Sequence, residues 1–163
     1  TITATCVNKN KIHYFNHINN ANMSVVLAVR ISSSIPLLFN YVKYNNNIYV
    51  DGGLLDNYPI HYLKSKIHNT LGFLIKNTNK EINIKTIDNF ILQLLIMTSR
   101  KSDKLIESLY HGNTIFINCD VNAIDFKIDN KNKIKCIRKG YNSISKYYKN
   151  KLNKEIKEYY NKN

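Results

Sequence analysis

Apolar and polar positions along this chain fall into short runs whose period alternates between strand and helix. Residues 2–7, "ITATCV", are β-branched and end in the turn-like "NKNK", which predicts a strand with "IHYF" at 12–15 as its return. After the polar "NHINNAN", the run "MSVVLAVRISSS" from Met23 sets Val25, Ala28, Val29 and Ser32 on one helical face. Asn22 is its expected N-cap. Pro36 stops that helix and biases Ile35 toward an extended backbone. "LLFNYVKYNNNIYV" predicts two short extended pieces around an Asn-rich turn, the second running into Asp51. Pro59 is placed to open a short helix over 59–66. "TLGFLIK" at 70–76 reads as a buried-type strand, and the polar "NTNKEINIKT" follows.

Residues 86–110 carry the longest periodic stripe, with Ile87, Phe90, Ile91, Leu94 and Leu95 leading to Leu105, Ile106 and Leu109. That spacing predicts one amphipathic helix, or two broken near Ser99, covering a sheet. Gly112 suits the stop. "TIFINC" predicts another strand, "IDFKIDNKNKIKCI" contains a polar turn, and residues 140–160 predict a final Lys- and Tyr-rich helix. Strands alternating with helices imply an α/β fold.

Composition narrows the class. The 163 residues suffice for one domain with a core, at 44% hydrophobic and 21% charged. "FILQLLIM" at 90–97, the most apolar run, is far too short to span a bilayer. The chain opens Thr-Ile-Thr-Ala-Thr, without an initiator Met or a secretory leader, so a piece of a longer polypeptide or a processed product is expected. Cys6, Cys119 and Cys136 are an odd set with no CxxC spacing, which points to a reducing, cytoplasmic compartment. The net charge of +13 comes almost wholly from Lys, with Arg only at 30, 100 and 138. Asn, Ile and Lys dominate throughout, as in a chain from an A/T-rich genome. Spread lysines without Arg forks do not predict a nucleic-acid partner. A peripheral contact with anionic membrane fits better.

One stretch stands apart: "YVDGGLLDNYPIHYL", residues 49–63. It holds two of the chain's five glycines and one of its two prolines. A β-branched strand ends at Asp51, and Gly52 and Gly53 follow. Without a Cβ, a residue adopts positive φ or lets the backbone pass close to another group. An acid at a strand's carboxyl end before a glycine turn is where open α/β sheets place ligand chemistry. Asp-Gly alone is also an ordinary hairpin signal.

The wider order, "AVRISSSIPLLF" and then "YVDGGLLDNYPI", resembles the patatin-like phospholipases. The matching positions include Ala28, Arg30, Ser32, Ser34, Pro36, Phe39, Asp51, Gly52, Gly53, Asn57 and Pro59. The opening "ITATCVNKNKIHYFN" and the later "TIFINCDVNAIDFKIDNKNKIKCIRKGYNSI" also look like parts of such proteins, so the resemblance runs over nearly the whole chain. It implies a three-layer αβα fold, of which residues 1–163 are the C-terminal part, with a mixed sheet. It implies a serine–aspartate dyad that hydrolyses lipid or phospholipid esters, needing no cofactor and no metal. Asp51 is then the dyad acid, Gly52 and Gly53 let the serine elbow approach it, and Asn57 and Pro59 hold the turn.

The nucleophile's motif, GxSxG, does not occur in the chain, and neither does a Gly-rich oxyanion loop. In the family both precede the Asp-Gly-Gly region. The expectation is an acid-bearing part that is inactive without an N-terminal part of the same enzyme. The alternative is a non-catalytic, truncated scaffold acting as a basic lipid- or protein-binding module. Ser32, Ser33 and Ser34 lie near Asp51 in sequence but lack an elbow. The five histidines give no metal-ligand spacing, and His61 and His68 have no carboxylate between them.

Overall fold

In a computed structural model, the structure describes residues 1–77, 84–119 and 127–161. Helices and strands mix throughout, so the chain is α/β, and it divides into two compact units. The first holds residues 1–65 and 83–110, and the second residues 66–82 and 111–163.

The first unit is built on a four-stranded antiparallel sheet of β1 (Ile2–Cys6), β2 (Lys11–Phe15), β3 (Val42–Tyr44) and β4 (Asn47–Asp51), in the order β2-β1-β4-β3. The two hairpins turn on asparagine. Asn10 takes φ 48° after the tight turn joining β1 to β2, and Asn45 and Asn46 take 46° and 59° between β3 and β4. Asn tolerates this left-handed region, and a two-residue loop with both φ positive matches strand twist.

The register pairs Ala4 with Asp51, Thr5 with Val50 and Cys6 with Tyr49. Directly opposed residues share a face. Ala4, Cys6 and Tyr49 form the core with Phe15 and Val42, closed by Ala28 and Ile31 of helix α1 (Val25–Ser32). Asp51 therefore ends the strand on the side that α1 covers. The helix has Ser24 as its N-cap, two residues after the expected Asn22. After it, Pro36 and Leu37 make a turn closed by the Leu38 N–H donating to the Ile35 carbonyl at 3.2 Å. Leu37 has φ 70°, a position glycine normally takes, at a cost of roughly 1–2 kcal/mol.

Helix α2 (Ile87–Leu109) is continuous through residue 99, with Thr86 as its N-cap. Its apolar stripe does not cover the sheet as the periodicity suggested. Among its described side chains Leu92 is buried, while Ile87, Phe90, Leu94, Leu105 and Leu109 stay exposed. A 3.6-residue period marks an apolar face but does not supply its neighbour. Residues 59–69 form short 3₁₀ turns rather than an α-helix.

The second unit pairs β5 (Gly72–Asn77) with β6 (Thr114–Cys119) in parallel, and helix α3 (Asn130–Tyr160) packs on β6. Leu74 is buried, but Phe73 and Ile75 are exposed, so β5 is covered on one face only, unlike the buried-type strand expected. Helix α3 starts ten residues before the expected position. The polar "NKNK" at 130–133, within the stretch that reads as a turn, is its first turn, because the Asp129 carboxylate accepts the Asn132 N–H at 2.7 Å. The polar stretch at 78–83 and the segment 120–126 lie outside the described residues.

A β-carbon on Gly52 stands 2.6 Å from both the carbonyl carbon and the oxygen of Thr3, whereas one on Gly140 meets nothing within 4 Å. Gly52→Ala is expected to destabilise by roughly 1–3 kcal/mol, since backbone cannot yield as a side chain does. Gly140→Ala, mid-helix, is expected to stabilise by about 0.5–1 kcal/mol. Urea unfolding of the two variants checks the opposite signs.

Candidate active site

The site begins with main-chain bonds. The Asp51 N–H donates to the Ser34 carbonyl at 2.9 Å, tying the strand end to the segment after α1. Beyond Asp51 the chain turns into a 3₁₀ turn, Gly52–Leu54. The Leu55 and Asp56 N–H groups both donate to the Gly52 carbonyl, at 3.2 and 3.0 Å. The Gly53 N–H donates to Asp51 Oδ1 at 2.7 Å. No partner for Oδ2 is found among the described residues. One carboxylate oxygen is thus fixed and the other is available.

The two glycines serve different ends, and neither has positive φ. Gly52 is pressed against Thr3 of β1, so its bare Cα lets the two strands pack closely. Gly53 faces the acid. A β-carbon there stands 3.0 Å from both Asp51 Oδ1 and Asn57 Oδ1. Asn57 is therefore brought to the carboxylate's side of the turn, and Pro59 opens the 3₁₀ turns that follow.

Asp51 is partly buried, and that burial pushes its carboxyl above the ordinary range. The Gly53 hydrogen bond opposes the shift without cancelling it. A raised pKa suits a carboxylate to accept a proton nearer neutral pH. Ser33 and Ser34 are placed otherwise. Ser34 is buried, and its hydroxyl donates to the Arg30 carbonyl at 2.7 Å, while the Ser33 hydroxyl donates to the Val29 carbonyl at 2.9 Å.

A second acid was missed in the sequence. Asp56 is only 6% exposed. Its Oδ2 accepts the Tyr14 hydroxyl at 2.5 Å and lies 3.6 Å from His61 Nε2. The Tyr14 ring stacks on Tyr62, with centroids 4.3 Å apart, and Asn16 Nδ2 donates to the Tyr62 hydroxyl at 3.2 Å. Burial first, then the bond to Asp56, raises the Tyr14 pKa and keeps its hydroxyl a donor. The cluster clamps the turn bearing Gly53 and Asn57 onto β2. Two of the chain's eleven acids within six residues were the available signal. The carboxylate near His61 lies before it, not between it and His68. Among the described residues no three His, Cys, Asp or Glu side chains gather as a metal site would need.

This geometry lies in a segment of known kind. Residues 1–64 match the family model of the patatin-like phospholipases. Two viral proteins are similar. Probable lipid hydrolase 463L of Invertebrate iridescent virus 6 is 35% identical over 68 residues, 42% of this chain and 23% of that protein. Uncharacterized protein R571 of Acanthamoeba polyphaga mimivirus is 30% identical over 154 residues, 88% of this chain and 52% of its own length. The chain therefore spans about half of one relative and a quarter of the other.

Because burial raises the Asp51 pKa, the fold holds that proton more tightly than the unfolded chain does. The resulting stability is full below the unfolded pKa and is lost as pH rises through the higher folded one. Asp51→Asn never ionises and keeps an oxygen for the Gly53 N–H. It is expected to melt above wild type at neutral pH, with the gap closing in acid. Thermal unfolding at the two pH values checks this, and a wild type more stable at neutral pH would make Asp51 a stabilising turn cap.

Proposed function

We propose that this chain supplies the acid of a serine–aspartate dyad that hydrolyses lipid acyl esters of the phospholipase A type. The observation that carries this reading is the Asp51 carboxylate, partly buried at the carboxyl end of β4, one oxygen held by Gly53 and the other available. The proposed chemistry is simple. A serine hydroxyl attacks the ester carbonyl, its proton passes to Asp51 Oδ2, and the protonated acid returns it to the leaving alkoxide. Gly53 leaves room for the hydroxyl, and Asn57 and Pro59 hold the turn. Residues 1–163 are then the C-terminal part of a patatin-like domain.

The serine comes from the N-terminal part of the same enzyme. The bonds made by Ser33 and Ser34 turn both hydroxyls to helix carbonyls. The relatives extend well beyond the matched region. Apolar surface for such a part is open on α1, where Val25, Val26 and Val29 are exposed, and on β5 at Phe73 and Ile75. A parallel strand pair normally has both faces covered. No helix among the described residues is long and apolar enough to cross a membrane, and none of the three cysteines is in a disulfide. We place the enzyme in the cytoplasm, peripheral to the membrane that holds its substrate.

Two measurements test the reading. In the complete polypeptide, Asp51→Asn is expected to lower turnover about 10²- to 10⁴-fold, with no second base in the scheme. Retention of more than about a tenth of wild-type activity, a loss below that range, would make Asp51 a turn residue. Residues 1–163 alone are expected to release no product above buffer from short-chain aryl esters. Turnover by this piece that disappears in Ser34→Ala would put the nucleophile inside it.

A further inference from the structure

Helix α3 carries an apolar stripe that its own unit does not use. Its partly buried positions are Cys136, Lys139, Gly140, Ser143 and Tyr147, and the Tyr147 hydroxyl donates to the Gly112 carbonyl at 3.2 Å. These are mostly small residues, and they let the helix sit on β6. The large apolar residues lie elsewhere. Ile134, Ile137, Tyr141, Ile144, Tyr148 and Leu152 are spaced three or four apart over five turns, and all are exposed, Ile137 at 71% and Tyr141 at 72%. At 3.6 residues per turn the stripe is centred about 110° around the axis from the docked side.

The charge beside the stripe says what covers it. The helix holds ten of the chain's 24 Lys and Arg against two acids. Lys131, Arg138 and Lys149 flank the stripe on one side, and Lys133 and Lys151 on the other. A helix with an apolar stripe between rows of Lys lies in the plane of a membrane interface, with its apolar side sunk among the acyl chains. The lysines meet anionic headgroups, and tyrosines suit the headgroup level, where one end is apolar and the other wet. Nucleic acid fits less well, since it would need the basic residues on the exposed stripe and the aliphatic ones away from it.

We propose that α3 docks this protein on anionic lipid surfaces through the stripe from Ile134 to Leu152. The proposal extends the lipid-ester reading without depending on Asp51, because it is measured as binding.

The test is co-sedimentation of the complete polypeptide with vesicles of phosphatidylcholine alone or mixed with phosphatidylserine. Wild type is expected to bind the mixed vesicles and release them as salt rises. The variant I137Q/Y141Q/Y148Q, changed only at exposed positions, is expected to lose at least tenfold in affinity with unchanged helicity by circular dichroism. Lys133→Gln with Lys151→Gln is expected to lose about fivefold per lysine. Asp51→Asn is expected to bind as wild type, which separates a failed site from a failed docking surface. Full binding by the triple variant, or equal binding to neutral vesicles, overturns the proposal. So does a dimer in ultracentrifugation that the triple variant abolishes, or tighter binding to a DNA duplex than to mixed vesicles.

Discussion

The main-chain contact between Gly52 and Thr3 is the constraint on which the site depends. The ladder between β1 and β4 ends at the Ala4–Asp51 pair. One residue further, the chain passes so close to the Thr3 carbonyl that a β-carbon has no room. It turns there into the Gly52–Leu54 turn, which leaves Asp51 as the last residue of its strand. The bond from the Asp51 N–H to Ser34 fixes the same residue from the side of α1. Backbone therefore sets the carboxylate's position, and among the described residues its bond comes from the Gly53 amide. Since no cation opposes it, burial prevails and the pKa rises.

Local signals in the sequence were readable because the physics behind them is local. The Asn-rich turn, the strand into Asp51 and the helix stopped before Pro36 each depend on a few adjacent residues. The start of α3 was misread for a related reason. "NKNK" is polar enough for a turn, and only the cap by Asp129 shows that it is helix. The reach of Tyr14 to Asp56 spans 42 residues and has no signature along the chain. The glycine pair was half legible. Close approach was foreseen, but the neighbour of Gly52 is the backbone of β1, which only the register reveals.

Asp51 and Asp56 show how five residues separate two uses of one side chain. Asp56 is enclosed and shares one oxygen between a tyrosine hydroxyl and the neighbourhood of a histidine. Its role is to hold β2 and the turn together. Asp51 keeps an oxygen without a described partner beside a glycine whose missing side chain leaves room. Asp56 Oδ1 also lacks a partner but is shut away from solvent, so that acid anchors structure, whereas the partly buried Asp51 is suited to move a proton.

Exposed apolar residues occur on several elements, and their charge environment separates them into two kinds. On α1 the exposed valines have Arg30 as the single basic residue of the helix and no acid. Such a face gains from a partner that is itself apolar, and the core of a protein interface is depleted in charge for the same reason. On α3 the apolar stripe runs between lysines, which would be costly to bury against protein without acids to meet them. At a lipid surface the same lysines remain wet and gain from the headgroup charge. The two faces therefore suit different neighbours, an apolar polypeptide surface for α1 and an anionic lipid surface for α3.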